Sequence, residues 1–331
     1  MIKHKNDVIG DDFIGQHNLR VTINFLVSSF EHTRFFDNVL FVAKRGDGKT
    51  LICRKIAKAL GKKTIEINGS SLSSITALVD QIINPHVSGN QDVTLFIDEV
   101  ASVNPKVLDW LLSVLQYDPH TKLSSATHDG VTHNFNFRHL TVLTATTNPE
   151  KLPEPFKSRF RRLEFAPYTK DELIKILLRY TPGLEIEAGV LEEIASVSRD
   201  SPRHITLHLA EDIKKLSAQK SSDNHIFSAD DWRLLKDILS ISEMGLTPNE
   251  IRLLEILSGE ACTLTCLTGK FCMDAATLRR EIELYPFSHS LFTISGKRHI
   301  TPKGVEVLER IRRKNKPVAL DIEPSSIAVI A

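Results

Sequence analysis

Val39-Leu40-Phe41-Val42-Ala43-Lys44-Arg45-Gly46-Asp47-Gly48-Lys49-Thr50 decides how this chain is read. A short apolar run breaks into a loop with two glycines, and a helical pattern follows through Leu51, Ile52, Ile56 and Leu60. Strand, loop and helix start in that order are what a phosphate-binding loop requires. The loop N–H groups and the positive helix end face a polyphosphate. Lys49 reaches β and γ oxygens, and Thr50 offers its hydroxyl to Mg2+. Gly46 and Gly48 stand where backbone must approach phosphate, while Ala43 replaces the usual first glycine and gives up only turn freedom. Taken alone, the loop also reads as an ordinary turn.

The next apolar strand, Val93-Thr94-Leu95-Phe96-Ile97, ends in Asp98-Glu99. Two carboxylates at the C-terminal end of a strand beside such a loop suit nucleotide hydrolysis. Asp98 would hold Mg2+ or its water, and Glu99 would orient or deprotonate the attacking water. Helix capping is the bland reading of two acids after a strand, and the loop some 50 residues upstream makes it the weaker one. A further strand from Leu140 to Ala145 leads into Thr146-Thr147-Asn148. Thr147 is the first choice there to sense the γ-phosphate and Asn148 the second, with a Thr/Asn turn as the alternative. Lys157-Ser158-Arg159-Phe160-Arg161-Arg162 reads either as a solvated face or as the source of an arginine finger, Arg159, offered to a neighbouring subunit. Arg203, in Ser201-Pro202-Arg203, would bind phosphate in its own subunit.

Outward from these motifs, the chain of 331 residues has room for two or three domains. Its hydrophobic fraction of 41% and charged fraction of 25% are ordinary for a globular protein, and a net charge of +1 requires any basic patch to be local. No apolar run approaches a membrane span, and Met1–Asp7 lacks the apolar core of a secretory signal, so a cytoplasmic location is expected. Of four cysteines, Cys262, Cys266 and Cys272 cluster without the spacing of a paired-Cys zinc site; buried apolar thiols are the reading.

Strands alternating with helices to about residue 165 give an α/β domain with a parallel sheet. A helix over Ser71–Ile83 and a β-hairpin turning at Asp129-Gly130 lie within it. The domains expected are 1–167 for the nucleotide, 168–242 as an all-helical lid, and 243–314 as a winged helix of three helices and a hairpin. A tail without periodicity follows over 315–331. Between Lys297 and Lys316, eight basic residues face only Glu306 and Glu309. Lys297 and Arg298 fall in the wing turn, where phosphates are gripped without reading bases.

The series Ile14-Gly15-Gln16, Gly46-x-Gly48-Lys49-Thr50, Asp98-Glu99, Ala145-Thr146-Thr147, Ser158-Arg159-Phe160 and Ser201-Pro202-Arg203 resembles the AAA+ ATPases. Among them it is most similar to the RuvB family of Holliday-junction branch-migration motors, over roughly residues 8–312. That resemblance implies ATP and Mg2+ as cofactors. Phe13 and Ile14 would frame adenine, and Gly46, Gly48, Lys49, Thr50 and Leu51 would surround the phosphates. Thr147 becomes sensor 1, Arg159 the trans-acting finger and Arg203 sensor 2. It also implies a hexameric homo-oligomeric ring on double-stranded DNA at four-way junctions, recruited by a RuvA-like partner through the hairpin. The chain departs from the family at Ala43-Lys44-Arg45-Gly46, at Asn6-Asp7, and near Ala166, where a family tyrosine falls. On the hairpin, Lys122 and Ser124 stand where the family carries an apolar patch for its recruiter. A clamp loader or helicase loader, or a DNA-binding scaffold ordered by ATP, is the alternative reading.

Overall fold

A computed structural model describes residues 9–10, 13–88, 91–220 and 226–314. The expected tail over 315–331, the Ser221–Asn224 loop and Asn6-Asp7 lie outside the described residues. The chain divides into two compact units, one running to Leu184 and including Asp200–Lys214, the other made of Glu185–Arg199 and the chain from Lys215 onward. The stretch expected as a separate lid is thus shared between the two.

The first unit is built on a parallel sheet in the order β2-β3-β6-β1-β7 (Lys63–Asn68, Val93–Asp98, Leu140–Thr146, Val39–Val42, Arg161–Glu164). Side chains alternate across it with period two, and the sequence exploits this. Val39, Phe41, Phe96, Leu143 and Ala145 enter one core with α1 (His17–Thr33) and α2 (Lys49–Ala59). Leu40, Leu95, Ile97 and Val142 enter the other with α4 (Pro105–Leu115) and the hairpin. Such double-sided burial is why these strands read as nearly unbroken apolar runs. Every strand of this sheet points the same way, so the turns after β1, β3 and β6 gather at one edge.

Two elements differ from expectation. Arg161 and Arg162, the end of the basic run, open edge strand β7, paired to β1 from Val39↔Arg161 to Val42↔Glu164. An edge strand with one covered side tolerates the charges that hid it. The helix expected from Ser71 begins instead at α3, Ile75–Leu78, where the Ser74 hydroxyl accepts the Ala77 N–H; it runs on, more widely wound, over Val79–Val87. Ser71 belongs to the preceding turn, because Asn68 caps Gly69–Ser71.

The hairpin forms as read, with β4 (Leu123–His128) against β5 (Val131–Asn136). Asp129 and Gly130 both have positive φ, 48° and 77°, as a two-residue hairpin turn demands. Trp110 of α4 stacks edge-on against Phe135 and donates its indole N–H to the Thr127 carbonyl. α5 (Glu154–Lys157), α6 (Lys170–Tyr180) and the helical turn α8 (Pro202–His204) complete this unit.

In the second unit, α7 (Ala188–Val197) and α10 (Ala229–Leu239) precede α11 (Pro248–Gly259), α12 (Leu264–Phe271), α13 (Ala275–Leu278) and α14 (Leu284–Ser288). A small antiparallel wing follows, β8 (Phe292–Ser295) with β9 (Lys297–Ile300), and then α15 (Pro302–Lys314). Helix α9 (Ala210–Gln219) runs from the first unit into the second. α15 was read only as a basic stretch. Its Val307, Leu308 and Ile311 pack on Leu246, Leu254 and Leu291, a helical spacing that the abundant charges mask.

Candidate nucleotide site

The loop between β1 and α2 is held open by two glycines at φ 96° and 100°. A side chain on Gly46 would bring its Cβ to 2.7 Å from Cβ of Arg203; on Gly48 it would meet the Phe13 ring at 3.2 Å. Both glycines are therefore required twice, for backbone hand and for close approach. Ile52 is the first residue of α2 whose N–H returns to the loop, at the Gly48 carbonyl. The N–H groups of Lys49, Thr50 and Leu51 thus head the helix as anion donors. The Leu51 side chain itself is 45% exposed.

Lys49 is buried; its ammonium donates to the Ala43 and Lys44 carbonyls at 3.2 and 3.1 Å and stands 3.8 Å from Glu99. Asp47 braces the loop by accepting the Lys44 N–H at 3.0 Å. Burial pushes the Asp47 carboxyl up to about 6, against the pull of that hydrogen bond and of Lys49.

Asp98 and Glu99 leave β3 side by side, and their roles separate by environment. Asp98 shares a cavity of about 190 Å³ with Thr50, Glu66 and Asn68. Burial raises its pKa above the ordinary aspartate value, while Lys49 and the Glu99 N–H pull it down. A half-dehydrated carboxylate facing a hydroxyl across a small cavity is a hard-oxygen donor set that fits Mg2+. Glu99 adopts the left-handed backbone region, φ 50°, an uncommon conformation for a residue with a side chain. Gly69 permits it: a Cβ there would fall 2.4 Å from the Glu99 carbonyl oxygen. The Glu99 carboxylate is then pinned from β6. It accepts the Thr147 hydroxyl at 3.1 Å and the Thr147 N–H at 3.3 Å, and Thr147 in turn accepts the Asn148 amide at 2.9 Å. Both candidates after β6 belong to one relay, in which Thr147 touches Glu99 and Asn148 touches Thr147.

Phe13 is buried against Gly48 and meets Phe165 edge-on at 6.4 Å. Ile14 is half-buried beside it. Gln16 clasps Ala166 with both amide ends, at 2.7 and 2.8 Å. Two residues on, Tyr168 donates its hydroxyl to the Asp47 carbonyl at 3.0 Å, and burial raises its phenol pKa. Reading the sequence placed the family tyrosine near Ala166 and missed Tyr168. It also passed over Asp47, whose carboxylate is engaged by a backbone N–H, and Gly69, whose role depends on a contact distant in the chain. Arg203 is exposed, but its stem packs on Gly46 and its charge favours ionised Asp98.

Two expected site residues lie elsewhere. Arg159 precedes β7 and donates to the Gln116 side chain at 3.4 Å. Because β7 runs parallel to β1, Arg159 is beyond the strand's beginning while the phosphate loop is beyond its end. The second is a correction. Arg298, expected at DNA, is buried, and its guanidinium forks onto buried Glu283 at 2.7 and 3.1 Å. Only Lys297 of that pair is exposed. The basic excess beyond the wing is also reduced, since Arg310 pairs with Glu306 at 2.6 Å and Arg313 with Glu309 at 3.6 Å. Cys53 and Cys262 are buried as expected of apolar thiols, whereas Cys266 is half-buried and Cys272 is exposed.

A phosphate loop, a half-buried aspartate and a pinned glutamate at the shared edge of a parallel sheet define a nucleotide-hydrolysing module. Accordingly, residues 39–168 match the ATPase family associated with various cellular activities (AAA), and the chain carries an AAA ATPase domain. Beyond that domain it is a divergent relative of RuvB. It is 27% identical over 310 residues to the Holliday junction branch migration complex subunit RuvB of Mycoplasmopsis synoviae, covering 90% of this chain and 95% of that protein. With RuvB of Mycoplasmopsis pulmonis it shares 25% over 312 residues, 91% and 96% of the two chains. The solved Thermotoga maritima RuvB branch migration motor has the same fold, with a TM-score of 0.74, 24% identity, and coverage of 92% of this chain and 99% of that one. Among the described residues, no helix is long and apolar enough to cross a membrane.

Proposed function

We propose that this protein is a cytoplasmic, ATP-driven motor of the RuvB type that moves four-way DNA junctions. The observation that carries the reading is the relay from Asn148 through Thr147 to Glu99, 3.8 Å from Lys49. ATP would lie with its phosphates on the α2 donors and Lys49. Its adenine would rest near Phe13, Ile14 and the loop capped by Tyr168. Thr50 and Asp98 would hold Mg2+, which would supply positive charge to the phosphates. Glu99, aimed by Thr147, orients the attacking water and takes its proton. Thr147 would feel the loss of the γ-phosphate, and Arg203, against Gly46, would report it to the helices that follow.

Arg159 cannot reach its own loop, so its role requires a homo-oligomeric ring, a hexamer by analogy with the family. Lys297 would touch duplex phosphates at the wing. The hairpin's exposed residues include Ser125, Thr127, Thr132 and Asn134, with Leu123 and Val131 near its ends. Lys122 turns its ammonium over Phe35 and Ser124 bonds the Val114 carbonyl. A RuvA-like recruiter would therefore meet a polar surface here, in place of an apolar patch.

The test is Glu99→Gln in a branch-migration assay on a synthetic four-way junction. ATP binding should survive while hydrolysis drops at least about 100-fold, the lower bound of what general-base catalysis supplies, and migration stops. Undiminished hydrolysis removes Glu99 from its role. Clamp opening without junction movement by the unaltered protein would favour a loader instead.

A further inference from the structure

Reading the cysteines by spacing alone set a metal site aside. The structure adds a residue that the spacing omits. Glu260 ends α11, and its carboxylate lies within 4.0 Å of the Cys262 sulfur. Cys266, in the first turn of α12, brings its sulfur to 3.8 Å from that of Cys262. All three ligand atoms fall within 4.8 Å of one another.

Two thiolates each about 2.3 Å from a tetrahedral ion stand roughly 3.8 Å apart, which is the separation seen. A disulfide would need the sulfurs near 2 Å. The set opens outward, with Cys262 buried, Cys266 half-buried and Glu260 exposed, so an ion has a way in. Charge also fits. Two thiolates and a carboxylate around a divalent ion leave one negative charge, and Lys270 stands 2.9 Å from Glu260 to balance it.

We propose that Glu260, Cys262 and Cys266 form a three-ligand site for a thiophilic divalent cation of the Zn2+ or Cd2+ kind, with water as the fourth ligand. The site is at the root of the wing. Cys262 exchanges both backbone hydrogen bonds with Arg298 of β9, at 2.7 and 3.2 Å, and Arg298 is the residue clamped to Glu283. An ion there ties the end of α11 and the start of α12 to the wing strand. Cys272, at the far end of α12, takes no part.

The experiment titrates the reduced, metal-free full chain with Cd2+ and follows the ultraviolet thiolate-to-metal charge-transfer band. One equivalent should saturate a band of two-thiolate intensity, and Zn2+ should displace it. Cys272→Ser should change nothing. Cys266→Ser should halve the absorbance per ion and weaken binding at least about 100-fold, the upper end of what losing even an outer-shell partner costs. Glu260→Gln should keep the band and weaken binding roughly tenfold. Should a variant misfold, alkylation of the unaltered chain decides: Cd2+ should shield Cys262 and Cys266 and leave Cys272 reactive. No band at one equivalent, a full band in Cys266→Ser, or equal alkylation of the three cysteines overturns the site.

Discussion

Asp47 shows what one buried carboxyl does to the loop it braces. Its folded pKa of about 6 exceeds the ordinary 3.8, so the folded chain holds a proton that the unfolded chain has already released. The contribution of Asp47 to stability is greatest below 3.8, falls as pH rises towards about 6, and stays lowered above that. Asn keeps an acceptor for the Lys44 N–H and carries no charge. Asp47→Asn should therefore match the parent in urea-unfolding midpoint near pH 4 and exceed it above about pH 6, with the gap opening between. Asp47 was invisible as a functional residue in the sequence because its partners are backbone groups. Lys49, Thr50, Asp98 and Glu99 were legible because each is fixed by its distance from a strand end, which the apolar runs mark. Thr147 and Asn148 were legible as a pair, but which of them touches Glu99 is decided by β3 and β6 lying side by side.

At the scale of elements, the wing is secured from within by ions. Arg298 and Glu283 are both buried and doubly hydrogen-bonded, and Glu250 of α11, fully buried, is forked by Arg199 at 2.7 and 2.8 Å. Removing one member of such a pair leaves the other charged without a partner, at a cost of about 3–5 kcal/mol. Arg298→Ala should accordingly lower the melting temperature and lose DNA affinity only through unfolding. Arg298→Met with Glu283→Leu should recover both. Lys297→Ala should keep the melting temperature, weaken DNA binding equally across sequences, and reduce the salt slope by about 1. Duplex-binding measurements across salt concentrations check both. Here the sequence misled for a physical reason. Two adjacent cations on a strand face opposite sides of it, so Lys297 and Arg298 never shared a surface. β7 misled likewise, its charges being those of an exposed edge.

At the scale of the whole molecule, the alternation of Val39, Leu40 and Phe41 between two cores is what aligns the strands and brings their ends together. The parallel α/β class followed from that pattern directly. The division into compact units did not, because it depends on which helices pack together over long range. The same sheet holds Arg159 and Lys49 apart by the length of β1, four residues or roughly 13 Å. Subunits with Arg159→Ala and subunits with Lys49→Ala should each be inactive, and a mixture should regain phosphate release where an intact loop meets an intact finger. No recovery on mixing would count against a shared site. On the proposed reading, a single chain carries a lock at the end of β1 and a key before the start of β7. Specific activity should consequently decline as the preparation is diluted, and protomers that dissociate fall silent with every residue intact.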